Sequence, residues 1–150
     1  INPWFGYGQI LLAVVWLLVS LFTLVYALFW GVSKLRGKLA TGPATQLRLW
    51  PLLPSLALFI LWFLLGLASA KPYLYMGGPT FVSVGVMLTT IVYGVLSFGC
   101  VFKVVKAWPD RRNQRISKRL YGYAVLAAFC HSMMTLTLLH FGLIGVIFWA

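Results

Sequence analysis

Two histidines and two cysteines carry the most versatile side-chain chemistry in this sequence, and all four lie in long apolar segments. His131 and His140 are nine residues apart in one segment, which puts them half a turn out of phase on a helix of about 3.6 residues per turn. Because they cannot easily hold one ligand together, we interpret His131 as a hydrogen-bonding group inside the protein and His140 as lying toward an outer interface. A functional role for either one, as an ionisable group inside a membrane, is the alternative.

The cysteines and the acidic residues restrict the chemistry further. Neither Cys100 nor Cys130 is expected to reach the oxidising outer face, so we expect two buried free thiols rather than a disulfide, and without a C-x-x-C motif we expect no redox site. Asp110 is the single acidic residue, which excludes paired-carboxylate hydrolysis and carboxylate-rich Mg²⁺ or Ca²⁺ sites. The S-x-x-K, G-x-S-x-G, H-E-x-x-H and P-loop motifs are not present either. We therefore predict no catalytic residue, no cofactor and no metal site in this chain.

Composition indicates an integral membrane protein. The 150 residues are 62% hydrophobic and 9% charged, and twelve basic residues against one acid give a net charge of +11. A soluble domain has about 25% charged residues. Uncharged runs separate the charges and are long enough for membrane-spanning helices, which need about 20 residues. The predicted spans are 9–33, 52–70, 80–102 and 120–148, forming one all-α transmembrane domain over 1–150, with Pro51 and Pro54 in the first turn of the second span.

The distribution of basic residues predicts the orientation. Eleven of the twelve lie in the first and third connections, and Lys71 stands alone in the second. Since basic loops face the cytoplasm, we expect both termini outside a bacterial cytoplasmic (inner) membrane. The third connection is a candidate surface for anionic lipid headgroups. Its basic residues are Lys103, Lys106, Arg111, Arg112, Arg115, Lys118 and Arg119.

Small and polar residues form one stripe on each of the last two predicted spans, and such stripes favour close helix packing in membranes. We expect these stripes to face protein, in an antiparallel four-helix bundle. In the third span the candidates are Ser83, Thr90, Gly94 and Ser97. In the fourth span they are Ala124, Ala128, His131, Ser132 and Thr135.

Five short segments carry a resemblance to a known family. They are Asn2-Pro3-Trp4, Arg48-Leu49, Val105–Trp108, Arg119–Tyr123 and Leu139–Gly145. With them the chain resembles the C-terminal multi-span membrane domain of bacterial serine hydrolases related to class C β-lactamases and penicillin-binding proteins. The resemblance implies that the catalytic domain lies upstream, on the outer side, and that the helices hold it at the membrane.

The start of the chain agrees with that expectation, since Ile1 is not an initiator Met; we expect the C-terminal part of a longer protein. The expected partners are membrane lipids, an upstream extracytoplasmic domain or other membrane subunits, and not nucleic acid. The alternative function is a small accessory subunit of a larger membrane complex. A transporter or channel is disfavoured because the spans contain almost no charge.

Overall fold

The computed structural model describes residues 3–37, 42–70, 79–113 and 115–145, with side chains from residue 7 onward. All regular structure in these ranges is helical. The helices are α1 (Pro3–Leu35), α2 (Pro43–Ala70), α3 (Phe81–Lys106), the short α4 (Trp108–Arg112) and α5 (Lys118–His140). The prediction of an all-α four-helix bundle is confirmed.

The four long helices have the length and surface of membrane spans. They contain 33, 28, 26 and 23 residues, so even the shortest is about 35 Å long and exceeds the ~30 Å hydrocarbon core of a bilayer. All four are apolar enough to cross a membrane. Large apolar side chains point outward, as at Leu28 and Phe29, which are 70% and 71% exposed. Water would not tolerate so much exposed apolar surface, and the protein is a membrane-spanning helical bundle.

The helices stand at the corners of a square. α2 packs most extensively on α3, α3 packs on α5, and α1 packs on both α2 and α5. α1 and α3 are therefore opposite each other, as are α2 and α5, which also touch across the centre. One apolar cluster fills the end near Leu47, Cys100 and Ile116. A second cluster, around Trp16, Leu58 and Tyr93, fills the middle.

Side-chain caps determine where α3 and α5 begin. Thr80 and Ser83 form a capping box, in which the Ser83 N–H donates to Thr80 Oγ1 (3.2 Å) and the Thr80 N–H donates to Ser83 Oγ (2.9 Å). Ser117 accepts from the Leu120 N–H at 3.3 Å and caps α5. Such caps satisfy N–H groups that have no partner within the helix.

The prediction that Pro51 and Pro54 open the second span is wrong. α2 begins nine residues before the predicted start, with Pro43 as its first residue, so both later prolines lie inside the helix. Pro43 suits this position because its missing N–H would have no helical partner there. The helix is about 42 Å long, longer than the ~30 Å hydrocarbon core of a bilayer, and its second turn contains the charged Arg48.

The predicted fourth span, 120–148, is too long at its end. α5 stops at His140, and Gly142 follows with a positive φ of 66°. The Leu143 N–H bonds to Leu138 O (2.8 Å) and the Gly142 N–H bonds to Leu139 O (3.0 Å), which is a Schellman ending. Residues 146–148 of the predicted span lie outside the described part of the chain. Glycine is the residue that adopts this left-handed conformation without strain, so the helix ends here although the sequence remains apolar.

Candidate functional site

A chain of buried hydrogen bonds crosses the centre of the bundle and takes one side chain from each long helix. Trp16 of α1 donates through Nε1 to Tyr93 Oη of α3 at 2.8 Å. Tyr93 Oη lies 3.0 Å from Nδ1 of His131 on α5, and the other ring nitrogen of His131 lies 3.3 Å from Oγ of Ser55 on α2. We call these four residues the central polar chain. All four side chains are at most 5% exposed, so none of them is open to solvent.

The geometry gives this chain a direction. An indole N–H can only donate and a carbonyl can only accept. Ser55 donates to Pro51 O at 2.9 Å, so it accepts from His131 Nε2–H, and Nδ1 then accepts from the Tyr93 hydroxyl. In the other tautomer the proton is on Nδ1, so the Tyr93 hydroxyl would donate to His131 O at 3.5 Å. The 3.3 Å hydrogen bond between His131 Nε2 and Ser55 Oγ would then be lost. With a neutral imidazole, His131 thus connects a donor end to an acceptor end.

The other buried hydroxyls mostly bond within their own helices. Ser97 donates to Tyr93 O at 2.8 Å and Thr135 donates to His131 O at 2.9 Å. These i−4 bonds satisfy a hydroxyl in apolar surroundings without a second helix. Thr90 is different, because its Oγ1 accepts from the Gly145 N–H at 3.0 Å and ties the segment after α5 to α3.

A second set of polar contacts joins the helices near the end where the basic residues lie. Tyr123 of α5 donates to Thr23 Oγ1 of α1 at 2.7 Å. Nζ of Lys103 on α3 lies 3.4 Å from Gln46 Oε1 and 5.2 Å from the ring centre of Trp50. These contacts show that the α1–α2 connection and the α3–α5 connection are at the same end, which we call the basic end.

The predicted headgroup residues are distributed over three helices and a turn at the basic end. Lys103 and Lys106 belong to the last turns of α3 rather than to a loop, Arg111 and Arg112 to α4, and Lys118 and Arg119 to the first turn of α5, while Arg115 precedes α5. Arg115 also lies 3.7 Å from Asp110. Lys71 and Lys38 are outside the described residues.

Most of the predicted packing residues are inside the bundle. Buried are Ser83, Thr90, Gly94, Ser97, Ala124, Ala128, His131 and Thr135. Ser132 is half-buried, and its Oγ is shielded from solvent without a hydrogen-bond partner among the residues described. Gly94 faces Thr135 and Ile144, and a Cβ there would lie 3.6 Å from each, in ordinary van der Waals contact.

The remaining candidates are separated in space. His140 is exposed at the end of α5, with its ring 5.3 Å from that of Phe141, whereas His131 is at the centre. Cys100 and Cys130 are both buried and free. Within the described ranges, no three His, Cys, Asp or Glu residues are close enough to hold a metal ion.

Sequence reasoning found one member of the central polar chain and missed three. Trp16, Ser55 and Tyr93 are not among the candidate residues. A signal did exist, because a tyrosine in the middle of an apolar span must bring its hydroxyl to a partner. Arg48 was also missed as a site residue; it lies on α2, where a charged side chain must find polar surroundings.

This arrangement can hold four helices in one register, but its groups are already paired and shielded from solvent. A buried network in which each donor has an acceptor stabilises a unique packing. It presents no activated nucleophile and no open coordination position. No family model, no curated protein and no solved structure matches this chain.

Proposed function

We propose that the four helices anchor an exported serine hydrolase-type catalytic domain at the outer face of a bacterial cytoplasmic membrane, without catalysis in this chain. The observation that carries the proposal is the central polar chain. Its donor end at Trp16 and its acceptor end at Pro51 O are both inside the bundle. Because these polar groups are paired with each other and closed to solvent, they fit a structural unit better than a path for a transported solute.

The charge distribution supports the orientation that an anchor needs. The ten basic residues in the described ranges lie at the basic end: Lys34, Arg36, Arg48, Lys103, Lys106, Arg111, Arg112, Arg115, Lys118 and Arg119. By the positive-inside rule this end faces the cytoplasm. The start of α1 and the end of α5 then face outward, and a domain joined before α1 is extracytoplasmic.

The class of the anchored domain rests on the resemblance of the five segments to the membrane domain of β-lactamase-related hydrolases. The nucleophile of those enzymes belongs to an S-x-x-K motif, which this chain lacks. In this proposal the chemistry belongs to a separate upstream domain, and this chain holds that domain at the membrane. Holding an enzyme at the membrane surface raises its effective concentration near membrane-bound substrates.

One observation favours a second candidate function, the accessory subunit. α1 buries the smallest share of its residues of the four long helices. Its outward face, which includes Leu11, Leu18 and Phe29, is apolar and fits another membrane helix as well as it fits lipid.

Intact mass and N-terminal sequencing of the protein from its native membrane separate the two functions. We expect a mass far above the 16.8 kDa of this chain, and covalent labelling of the same species by a fluorescent penicillin or fluorophosphonate. A boiled sample is the labelling control. A mass near 16.8 kDa would refute the anchor, and co-purification with another membrane protein at fixed stoichiometry would then support the accessory subunit.

A further inference from the structure

A polar cavity opens at the basic end between α1, α2 and α5. It has a volume of about 250 Å³, and its lining includes Arg48, Arg119, Ser117, Tyr26, Tyr123 and Phe22. Two guanidinium groups from different helices thus line one cavity beside two phenol rings. Guanidinium groups stay charged in proteins and match the geometry of phosphate oxygens.

Arg48 has an unmet hydrogen-bonding requirement. Its Nε is shielded from solvent and has no hydrogen-bond partner in the part of the chain that is described. Three buried side-chain atoms share this condition there, and Arg48 Nε is the one that belongs to a charged group. A buried donor of a cation without an acceptor is costly, which points to an anionic acceptor in the cavity.

The chain itself does not supply that anion. Asp110 is the single acidic residue in the sequence. It lies 3.7 Å from Arg115 and lines a different cavity, beside Lys103 and Lys106. The counter-ion for Arg48 and Arg119 therefore comes from outside these 150 residues.

An apolar groove lies next to the polar cavity on the α1–α5 face. Its volume is about 400 Å³, and it is lined by Leu18, Val19, Phe22, Gly122, Tyr123 and Leu126. Phe22 and Tyr123 line both spaces, so the two adjoin, with these two rings at the boundary between them. The space beside Gly122 is open, because a Cβ there would have no atom within 4 Å.

The order of these two spaces matches a phospholipid. From Tyr26 to Leu18 the α1 axis rises by about 12 Å, from the basic end toward the middle of the span. A ligand that fills both spaces needs an anionic group at the basic end and a hydrocarbon chain directed into the membrane. Free phosphate fills the first space only.

We propose that an anionic glycerophospholipid binds this site, with its phosphate between Arg48 and Arg119 and an acyl chain in the groove beside Gly122. Tyr26 and Tyr123 border the headgroup, and Phe22 separates it from the acyl chain. The proposal needs only the membrane-spanning bundle, so it holds whether the protein is an anchor or an accessory subunit.

Binding of fluorescent phosphatidylglycerol to the delipidated full-length protein in neutral detergent tests the proposal. We expect saturable binding that unlabelled phosphatidylglycerol competes and phosphatidylcholine does not. The R48Q/R119Q variant should bind about tenfold more weakly, since two charge-assisted contacts are lost. The matched K34Q/R36Q variant removes the same charge from exposed residues at the end of α1 and should keep its affinity.

Two further arms separate a lipid from a bare anion. Gly122→Leu fills the groove without changing charge and should also weaken binding about tenfold. Inorganic phosphate at the same molar concentration should not compete. Equal competition by phosphate, or equal weakening in R48Q/R119Q and K34Q/R36Q, would overturn the proposal.

Folding of each variant is checked by the thiol of Cys100, which is fully buried and should stay unreactive toward maleimide in a folded bundle. If R48Q/R119Q exposes this thiol, the Gly122→Leu variant and the phosphate competition still decide the result. The mass measurement that tests the anchor does not depend on any of these arms.

Discussion

The Tyr93 hydroxyl lies 3.0 Å from Nδ1 of His131, and this bond is where the two diagonals of the bundle meet. Trp16 reaches Tyr93 across the α1–α3 diagonal, and Ser55 reaches His131 across the α2–α5 diagonal. The two rings are 5.8 Å apart at an angle of 67°, an edge-to-face contact that adds to the hydrogen bond. One pair of side chains therefore couples all four helices.

Tyr93→Phe should destabilise the bundle by about 1–3 kcal/mol, because removing the hydroxyl leaves Trp16 Nε1 and His131 Nδ1 without their partners in a buried place. The measurement is the free energy of unfolding in mixed micelles titrated with SDS. Tyr7→Phe, at a tyrosine that is 68% exposed, is the control and should change it little.

A double-mutant cycle of Tyr93→Phe and His131→Phe measures the coupling free energy between these two side chains. Interhelical hydrogen bonds in membranes are worth about 0.6 kcal/mol on average and up to about 1.7. Additive effects of the two substitutions would show that the bond does not couple the helices.

Gly99→Ala should destabilise the protein, whereas Gly94→Ala on the same helix should be neutral or stabilising. A Cβ at Gly99 would lie 2.5 Å from Cζ3 of Trp50, while at Gly94 the nearest side-chain atoms are at 3.6 Å. Overpacking costs about 1–3 kcal/mol, and alanine favours a helix by about 0.5–1 kcal/mol over glycine. Comparing the unfolding free energies of the two variants tests this order, and equal values would contradict it.

Gly142→Ala should loosen the segment that follows α5. Gly142 has a φ of 66°, a conformation that costs a residue with Cβ about 1–2 kcal/mol. Hydrogen exchange of the Gly145 amide, which is bonded to Thr90, should become faster. Gly66→Ala, in a helix with open space around it, is the matched control, and the same acceleration there would count against the Schellman ending as the cause.

Impermeant maleimide added to intact cells should label the Lys71→Cys variant and not the Arg112→Cys variant. Arg112 lies on α4 at the basic end, which we expect in the cytoplasm, and Lys71 follows the opposite end of α2. The protein without either substitution gives the background level of maleimide labelling, because both native thiols are buried. Cell lysis should make the Arg112→Cys variant reactive. The reverse pattern in intact cells would invert the proposed topology.

The four spans were predictable because charge interrupts apolarity in only a few places between Ile1 and Ala150. The rotation of each helix was not. In a membrane both the inner and the outer face of a helix are apolar, so periodicity does not show that Trp16 turns inward while Trp62 is 55% exposed. Partners such as Ser55 and His131, separated by 76 positions, meet only after these rotations are known.

The predicted start of the second span and end of the fourth span were wrong for a related reason. The start at Pro43 and the end at His140 depend on backbone conformation at single residues, and hydropathy averages over such positions. Pro51 and Pro54 have strong turn preferences, but the tertiary packing of α2 on α3 overrides them.

The unequal lengths of α1 and α5 make the bundle responsive to the hydrophobic thickness of its bilayer. α1 has 33 residues and α5 has 23, a difference of about 15 Å. In a thinner bilayer the longer helix, α1, tilts to keep its apolar length within the hydrocarbon region. The bond from Tyr123 to Thr23 holds these helices together at the basic end. Tilt therefore appears as splaying at the other end, where a cavity of about 500 Å³ already separates Gln9 from His140.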